Sequence, residues 1–475
     1  MMDRSLGLPA DGVADSGFQL GLLALRRGDL PAAARYFQEV CTLAPHHAEA
    51  WHLVGVAALR QGDLEKARRS IERSLLVSST NSSCLLSYAL LLTKLNRPRD
   101  ALKMLRRASV IAPESAEAWE QFGALDLNMH GPTARAERSL QRSLELEPDR
   151  PGALGHLGRL HLRAKRFESA RGCLERLHAL RPHDVDVMGL LAEACEKVHD
   201  LEGAVSLVRK ADILSPDNAR IQHDLGRLHG GLGGIAQAKF HFQRAAALPG
   251  GRPEWRWKHL GSCPHVFETD EQIARYWEGL EQDLDAAIAE GDVYDWRTLP
   301  QHGFTSPFQL PHLDRCCRVV KEKFTELFAR SFELPCFERP TPRGHGEKVR
   351  VGFLVTPGHE GGFLRLTRPI IERLDGERFE PVLIYHQQSE KRLSRHFWRA
   401  DLRRVAFSAD FEPAVRTIRA AACDVIYYWK VGADVWSLFL PMARLAPVQC
   451  TSWGTHGTSG SRFVDYYVSW DLAET

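Results

Sequence analysis

The stretch Ala48-Glu-Ala-Trp51-His-Leu-Val-Gly55-Val-Ala-Ala-Leu-Arg60-Gln-Gly62-Asp-Leu-Glu-Lys-Ala67-Arg-Arg-Ser-Ile71, running on to Asn81, decides the fold of the first half of the chain. Its landmarks return. Trp51, Gly55, Ala67 and Ile71 reappear as Trp119, Gly123, Ala136 and Leu140, then as Leu154, Gly158, Ala170 and Leu174. Registers 14–47, 48–81, 82–115, 116–150, 151–184, 185–218 and 219–250 follow a 34-residue period, with one extra residue near Gly131-Pro132. Each register reads as two helices. A small residue at the eighth position (Gly21, Gly55, Ala89, Gly123, Gly158, Ala192, Gly226) lets the first helix approach its neighbour closely. Alanine at the twentieth (Ala33, Ala67, Ala101, Ala170, Ala204, Ala238) serves the same packing. Pro45, Pro113, Pro148, Pro182 and Pro216 end the second helix, because proline cannot continue one. Such a unit cannot bury its own apolar face, so it must stack on its neighbours.

This pattern resembles the tetratricopeptide repeat. The expected first domain is an α-solenoid, a tetratricopeptide superhelix over 14–250, whose groove holds a protein or peptide. The thirteenth position reads Arg26, Arg60, Lys94, Asn128, Arg163, Lys197 and Gly231. Arg26, Arg60, Lys94, Arg163 and Lys197 form a basic stripe suited to an acidic peptide. The competing reading is a solvated face, since lysine is common at this position of such repeats. Asp184-Val-Asp186 mimics a metal-binding Asp-x-Asp, but it lies at a repeat boundary, where acids favour a helix start. No metal site is expected.

The 475 residues suit two or three domains. Lys+Arg number 62 against 60 Asp+Glu, a balance that argues against a general binder of nucleic acid or membrane surface. Met1 to Asp15 shows no signal-peptide pattern, and no apolar run reaches the roughly 20 residues that span a bilayer. Ten cysteines are scattered, and Cys316-Cys317 fall on an expected helix, so a zinc site or disulfide framework is not expected. A reducing, cytoplasmic setting is the simple reading.

After Gly250-Gly251 the period stops. Residues 251–346 read as a helical intervening region and linker, with helical runs at about Glu271–Glu290 and His312–Ser331. From 347 to 475 strands and helices alternate. Strands are expected at Val349–Val355, Pro381–Tyr385, Arg404–Phe407, Asp424–Tyr428, Val448–Thr451 and Val464–Val468. Helices are expected at about Phe363–Leu374, Phe411–Ala422 and Asp434–Ala443. The class is α/β, a Rossmann-like doubly wound parallel sheet. Two loops at its carboxyl edge carry chemistry. Thr356-Pro-Gly-His359-Glu-Gly-Gly362 brings a histidine and flexible backbone to a helix start, although a structural histidine is the alternative. Ser452-Trp-Gly-Thr-His-Gly-Thr-Ser-Gly460 brings glycines for access, hydroxyls for sugar or phosphate, and a stacking tryptophan.

At these residues the chain resembles the O-linked N-acetylglucosamine transferase family, which includes the SPINDLY-type protein fucosyltransferases. Arg444-Leu-Ala-Pro-Val-Gln449, Ser452-Trp-Gly454, Gly457-Thr-Ser-Gly460 and Asp465-Tyr466 are similar to that family's RPAPxQ…WLGYPGTSG…DY segment. Arg350-Val-Gly352 and Ser306-Pro-Phe308 resemble the start of, and approach to, its first catalytic lobe. The resemblance implies tetratricopeptide repeats joined to a GT-B glycosyltransferase, of which 347–475 is the N-terminal lobe. It implies inverting transfer of a sugar from a nucleotide-sugar, UDP-GlcNAc by preference, to Ser or Thr of a protein, with no metal or other cofactor. His359 inherits the catalytic histidine, and Trp453, Gly454, His456, Gly457 and Thr458 inherit the donor-sugar contacts. The family's asparagine ladder is missing, because the sixth positions are Gln19, Leu53, Ser87, Gln121, His156, Leu190 and Asp224. The family's second, nucleotide-binding lobe is not found before Thr475, so residues 1–475 alone are expected to be inactive. The competing classes are a protein-binding repeat scaffold with a non-catalytic lobe, and a GT-B enzyme acting on a non-protein acceptor.

Overall fold

The computed structural model describes residues 10–264, 266–304, 310, 315–333, 347–397, 399–452 and 459–469. The chain divides into two compact units, 1–214 and 215–475.

The first unit is a run of helical pairs: α1 (Ala10–Arg26) with α2 (Leu30–Leu43), α3 (Ala48–Gln61) with α4 (Leu64–Val77), and α5 (Ser82–Lys94) with α6 (Pro98–Ile111). Then follow α7 (Ala116–His130) with α8 (Ala134–Leu146), α9 (Pro151–Arg163) with α10 (Phe167–Leu180), and α11 (Val185–Lys197) with α12 (Leu201–Leu214). The period has a visible steric cause. A methyl group on Gly55 would lie 2.5 Å from Ile71 Cγ1, and one on Gly123 2.8 Å from Leu140 Cγ. The eighth-position glycine is therefore the seat of the large residue on the second helix. Trp51 Nε1 donates to the Pro45 carbonyl and Trp119 Nε1 to the Pro113 carbonyl, both at 3.0 Å. Each tryptophan thus meets a carbonyl just beyond the preceding helix. Fully buried Ser74 and Ser143 donate to the Ala48 and Ala116 carbonyls at 2.7 and 2.8 Å, tying each second helix to the start of its first. Asp63, Asn81, Ser115 and Thr133 cap helix starts with their side chains. Asp184 does the same for α11, accepting from Asp186 and Val187 N–H, so the Asp-x-Asp is a helix cap.

The extra residue of the fourth repeat is held by a buried carboxylate. Asp126 accepts from His130, Thr133 and Arg135 across the turn. Burial opposes its charge, but the hydrogen bonds from Arg135, Thr133 and His130 outweigh it and hold the carboxyl below its ordinary range.

His52 makes this unit acid-sensitive. It is 8% exposed and lies 2.9 Å from Ser87 Oγ. Burial lowers its pKa from 6.5 to about 4. A folded pKa below the unfolded one means stability present above the unfolded value and lost as pH falls towards the folded one. Acidification from pH 7 to pH 5 is expected to remove on the order of 2 kcal/mol through this residue. Urea titration of wild type and His52→Gln at both pH values checks it. Equal pH slopes in the two proteins would show that His52 contributes nothing.

The second unit opens with α13 (Ala219–Gly231) and α14 (Ile235–Ala247), a 3-10 segment over Pro253–Gly261, α15 (Asp270–Glu290) and α16 (Arg318–Glu333). Cys316-Cys317 precede α16 instead of lying on a helix, and the α16 start is later than the sequence pattern suggested. Six strands follow: β1 (Val349–Val355), β2 (Phe379–His386), β3 (Arg403–Phe407), β4 (Val425–Tyr428), β5 (Val448–Ser452) and β6 (Tyr466–Val468). All neighbours are parallel, in the order β3-β2-β1-β4-β5-β6, so the order reverses between β1 and β4. Between them run α17 (Glu360–Leu366), α18 (Arg368–Arg373), α19 (Glu390–Leu393), α20 (Phe411–Ala420) and α21 (Val435–Phe439). The single helix expected over 363–374 is broken near Thr367, since Pro369 lacks the N–H to continue it. The helix expected over 434–443 tightens after Phe439 into a 3-10 turn containing Pro441.

Alternation along the strands splits the core in two. Phe353, Val355, Leu383 and Tyr385 pack with Phe363 of α17 and Ile371 of α18. Leu354, Val382, Ile384 and Ile426 face the other way, onto α20, α21 and the middle helices. Phe324 and Phe328 of α16 meet at 5.6 Å, and Phe328 meets Phe439 edge-on at 5.2 Å. Much of the intervening region is therefore one wall of the sheet's core.

Candidate functional site

The site is built where the strand order reverses, the usual ligand position in open parallel sheets. β1 ends at Val355 and leads into Thr356-Pro-Gly358-His359. Gly358 takes φ +88°, a turn a side chain would strain. Glu360, 4% exposed, locks the loop: its carboxylate accepts from Gly358 N–H at 3.1 Å, Ser389 Oγ at 2.6 Å and Arg392 at 3.2 Å. Burial opposes that charge, but these bonds keep the Glu360 carboxyl below its ordinary range.

Beyond the adjacent strand β4, Asp434 opens α21. Its Oδ1 accepts from Trp436 and Ser437 N–H at 2.9 and 3.1 Å, and its own N–H donates to Ser437 Oγ at 3.0 Å. This capping box leaves Oδ2 turned to the β1 loop. There it accepts from Thr356 Oγ1 at 2.7 Å and lies 3.4 Å from His359 Nε2. Burial pushes the Asp434 carboxyl up, but bonds from His359, Thr356 and Ser437 outweigh it, so the carboxylate form is held. The His359 and Asp434 side chains are 23% and 22% exposed, open enough to meet a ligand. With Nε2–H directed at Asp434, the Nδ1 lone pair is the proton-accepting face, and the carboxylate would stabilise the imidazolium. Sequence reading singled out His359 but missed Thr356, Glu360 and Asp434. The usable signal was positional, because Thr356 and Asp434 follow the two strands that flank the reversal.

The calls on Trp453, Gly454, His456, Gly457 and Thr458 lie outside the described residues, as do Ser306-Pro-Phe308. The loop's two ends are described. Ser452 closes β5, 3% exposed, with its hydroxyl bonded to Tyr427. Gly460 has φ +59°, and a Cβ there would come within 2.3 Å of Lys321 Cβ on α16.

The family-like motifs around the loop are internal fastenings. Gln449 is fully buried. Its Oε1 accepts from the Tyr428 hydroxyl and from Leu445 N–H, and its Nε2 donates to the Pro441 and Phe463 carbonyls. Asp465 binds Arg444 with one oxygen and Gln449 N–H with the other. Arg350 pins Glu380 and the Ala421 carbonyl at 2.9 Å each, and Gly352 leaves no room for a Cβ beneath Ile384. These hydrogen bonds are made within the protein, at the amino ends of β1, β5 and β6.

In the repeats, Arg26, Arg60, Lys94, Arg163 and Lys197 are all exposed, in the last turns of α1, α3, α5, α9 and α11. A cation there also complements the helix dipole. The sixth-position groups are mixed: Ser87 is engaged by His52, and Gln121 donates to Glu117 at 3.0 Å. Among the described residues no cluster could hold a metal ion, and no helix is long and apolar enough to cross a membrane.

Two tetratricopeptide-repeat family models match, at residues 18–83 and 129–194, so the chain carries tetratricopeptide repeats. No curated protein matches it. Solved structures similar to part of it include PilF of Pseudomonas aeruginosa, at 23% identity over 45% of this chain and 96% of that one, with a TM-score of 0.42. A tetratricopeptide repeat protein of Parabacteroides merdae is similar at 18% identity over 52% and 98%, TM-score 0.39. YrrB, described as a tetratricopeptide protein with an unusual peptide-binding site, is similar at 17% identity over 40% and 98%, TM-score 0.36.

Proposed function

We propose that this protein is a repeat-guided protein O-glycosyltransferase. The repeats bind a polypeptide, and residues 347–475 act as the acceptor-side lobe of a GT-B enzyme. A sugar passes with inversion from a nucleotide-sugar, preferably UDP-GlcNAc, to a Ser or Thr hydroxyl. The observation that carries the reading is the His359–Asp434–Thr356 cluster at the reversal of a parallel sheet, beside the end of β5. Inverting transfer needs a base to take the acceptor's proton, and a carboxylate-oriented imidazole at a carboxyl edge is suited to it. The loop over 453–458 would supply the sugar contacts, through Trp453, Gly454, His456, Gly457 and Thr458.

A second reading has its own support. One oxygen of Asp434 is employed as a helix cap, and Arg444, Gln449 and Asp465 make their hydrogen bonds within the protein. A protein-binding repeat scaffold with a silent lobe fits those facts. The full-length protein incubated with radiolabelled UDP-GlcNAc or GDP-fucose and a cell extract decides between them. Label on protein, lost in the His359→Ala variant, supports the enzyme. No label from either donor, with peptide capture intact, leaves the scaffold.

A further inference from the structure

A cleft of about 550 Å³ lies between the start of α14, the chain leaving the 3-10 segment, and α15. That volume is in the range of small-molecule sites, about 300–1,000 Å³. Its walls are apolar, with Ile235, Val266, Tyr276 and Leu280 among them. Val266 stands at the surface, 78% exposed, although its side chain is aliphatic. The Tyr276 hydroxyl donates to the Ser262 carbonyl at 2.9 Å, so its polar end is satisfied and its ring remains as wall. Gly279 also lines the cleft, and a Cβ there would meet no heavy atom within 4 Å, so the space beside α15 is empty.

The polar groups give the cleft a sign. At its floor Asp283 is already spent: one oxygen takes Lys239 Nζ at 2.6 Å, the other His259 Nε2 at 3.0 Å. Arg275, also in the lining, is exposed, and its Nε donates to the Glu271 carbonyl of its own helix at 3.3 Å. Among the described residues no carboxylate forms an ion pair with it. Glu271, one turn earlier on the same helix, is engaged at the helix start with Thr269; it feels the Arg275 charge without pairing with it and does not line the cleft. Lys239 and Arg275 against Asp283 leave the lining net positive.

We infer that this cleft binds a small organic anion with an apolar body, such as a medium-chain carboxylate or an aromatic sulfonate. The body lies against Tyr276 and Leu280, and the anionic head meets Arg275. The inference is independent of any glycosyl transfer. The test titrates the full chain with 8-anilinonaphthalene-1-sulfonate, followed by fluorescence, with decanoate as competitor. Gly279→Leu fills the cleft, and leucine is the better helix former, so the variant should fold. It is expected to weaken binding tenfold or more with an unchanged near-ultraviolet circular dichroism spectrum. Arg275→Gln is expected to weaken the sulfonate about fivefold but leave the uncharged N-phenyl-1-naphthylamine unaffected. Unchanged dye affinity in Gly279→Leu would place the dye elsewhere and overturn the inference. Equal loss of both dyes, or of neither, in Arg275→Gln would overturn the anion preference.

Discussion

Replacing His359 by alanine in the full-length protein is expected to lower turnover about 100-fold or more, the usual contribution of a positioned acid–base group. The loss should appear in kcat with little change in KM, because on the proposed reading the imidazole acts on the proton and not on ground-state binding. Stability should change by less than about 0.5 kcal/mol, since the side chain is partly exposed. Asp434→Asn separates orientation from capping. Asparagine is as good an N-cap as aspartate, so α21 should persist. An amide cannot, however, hold Nε2–H and stabilise the imidazolium as a carboxylate does. Turnover should fall by about tenfold or more, read in kcat. Wild-type turnover in both variants would remove His359 from the chemistry and return it to a structural role at the helix start.

Asp465→Ala is expected to destabilise the second unit by about 3 kcal/mol, at the lower end of the range for breaking a buried ion pair. Arg444 and Asp465 are only 14% and 18% exposed, so neither charge is well solvated alone. Removing the carboxylate leaves Arg444 with the Phe463 carbonyl and strips Gln449 N–H of its acceptor. Arg444 also sits at φ +47°, a backbone state it keeps only while its surroundings hold it. Asp465→Asn keeps an acceptor oxygen and should cost less. Equilibrium urea unfolding, followed by tryptophan fluorescence, reads both. A loss under about 1 kcal/mol in the alanine variant would show that the fastening contributes little to stability.

The repeat register was legible because its cause is local and recurrent. A glycine that must receive Ile71 or Leu140, a tryptophan that meets a proline carbonyl, and a proline that ends a helix act within one or two turns of chain. The central strands β1, β2, β4 and β5 were legible for a similar reason: they are largely buried on both faces, so they read as short apolar runs between turns. The break at Pro369 and the placement of Cys316-Cys317 were missed at element boundaries, where capping and packing compete on equal terms.

The amino-acid sequence by itself determined the repeats, the parallel α/β class and the choice of His359. Only the tertiary structure decided what surrounds that histidine. Thr356 and Asp434 are 78 residues apart, and nothing local links them. They meet because β1 and β4 are neighbours in the sheet, an adjacency set by crossover handedness and the burial of both faces. The same assembly turned the most family-like motif inward. Arg444, Gln449 and Asp465 carry part of the resemblance to the glycosyltransferase family. Folding spends their hydrogen bonds on one another, because a polar group buried at the end of a sheet must be paired within the protein.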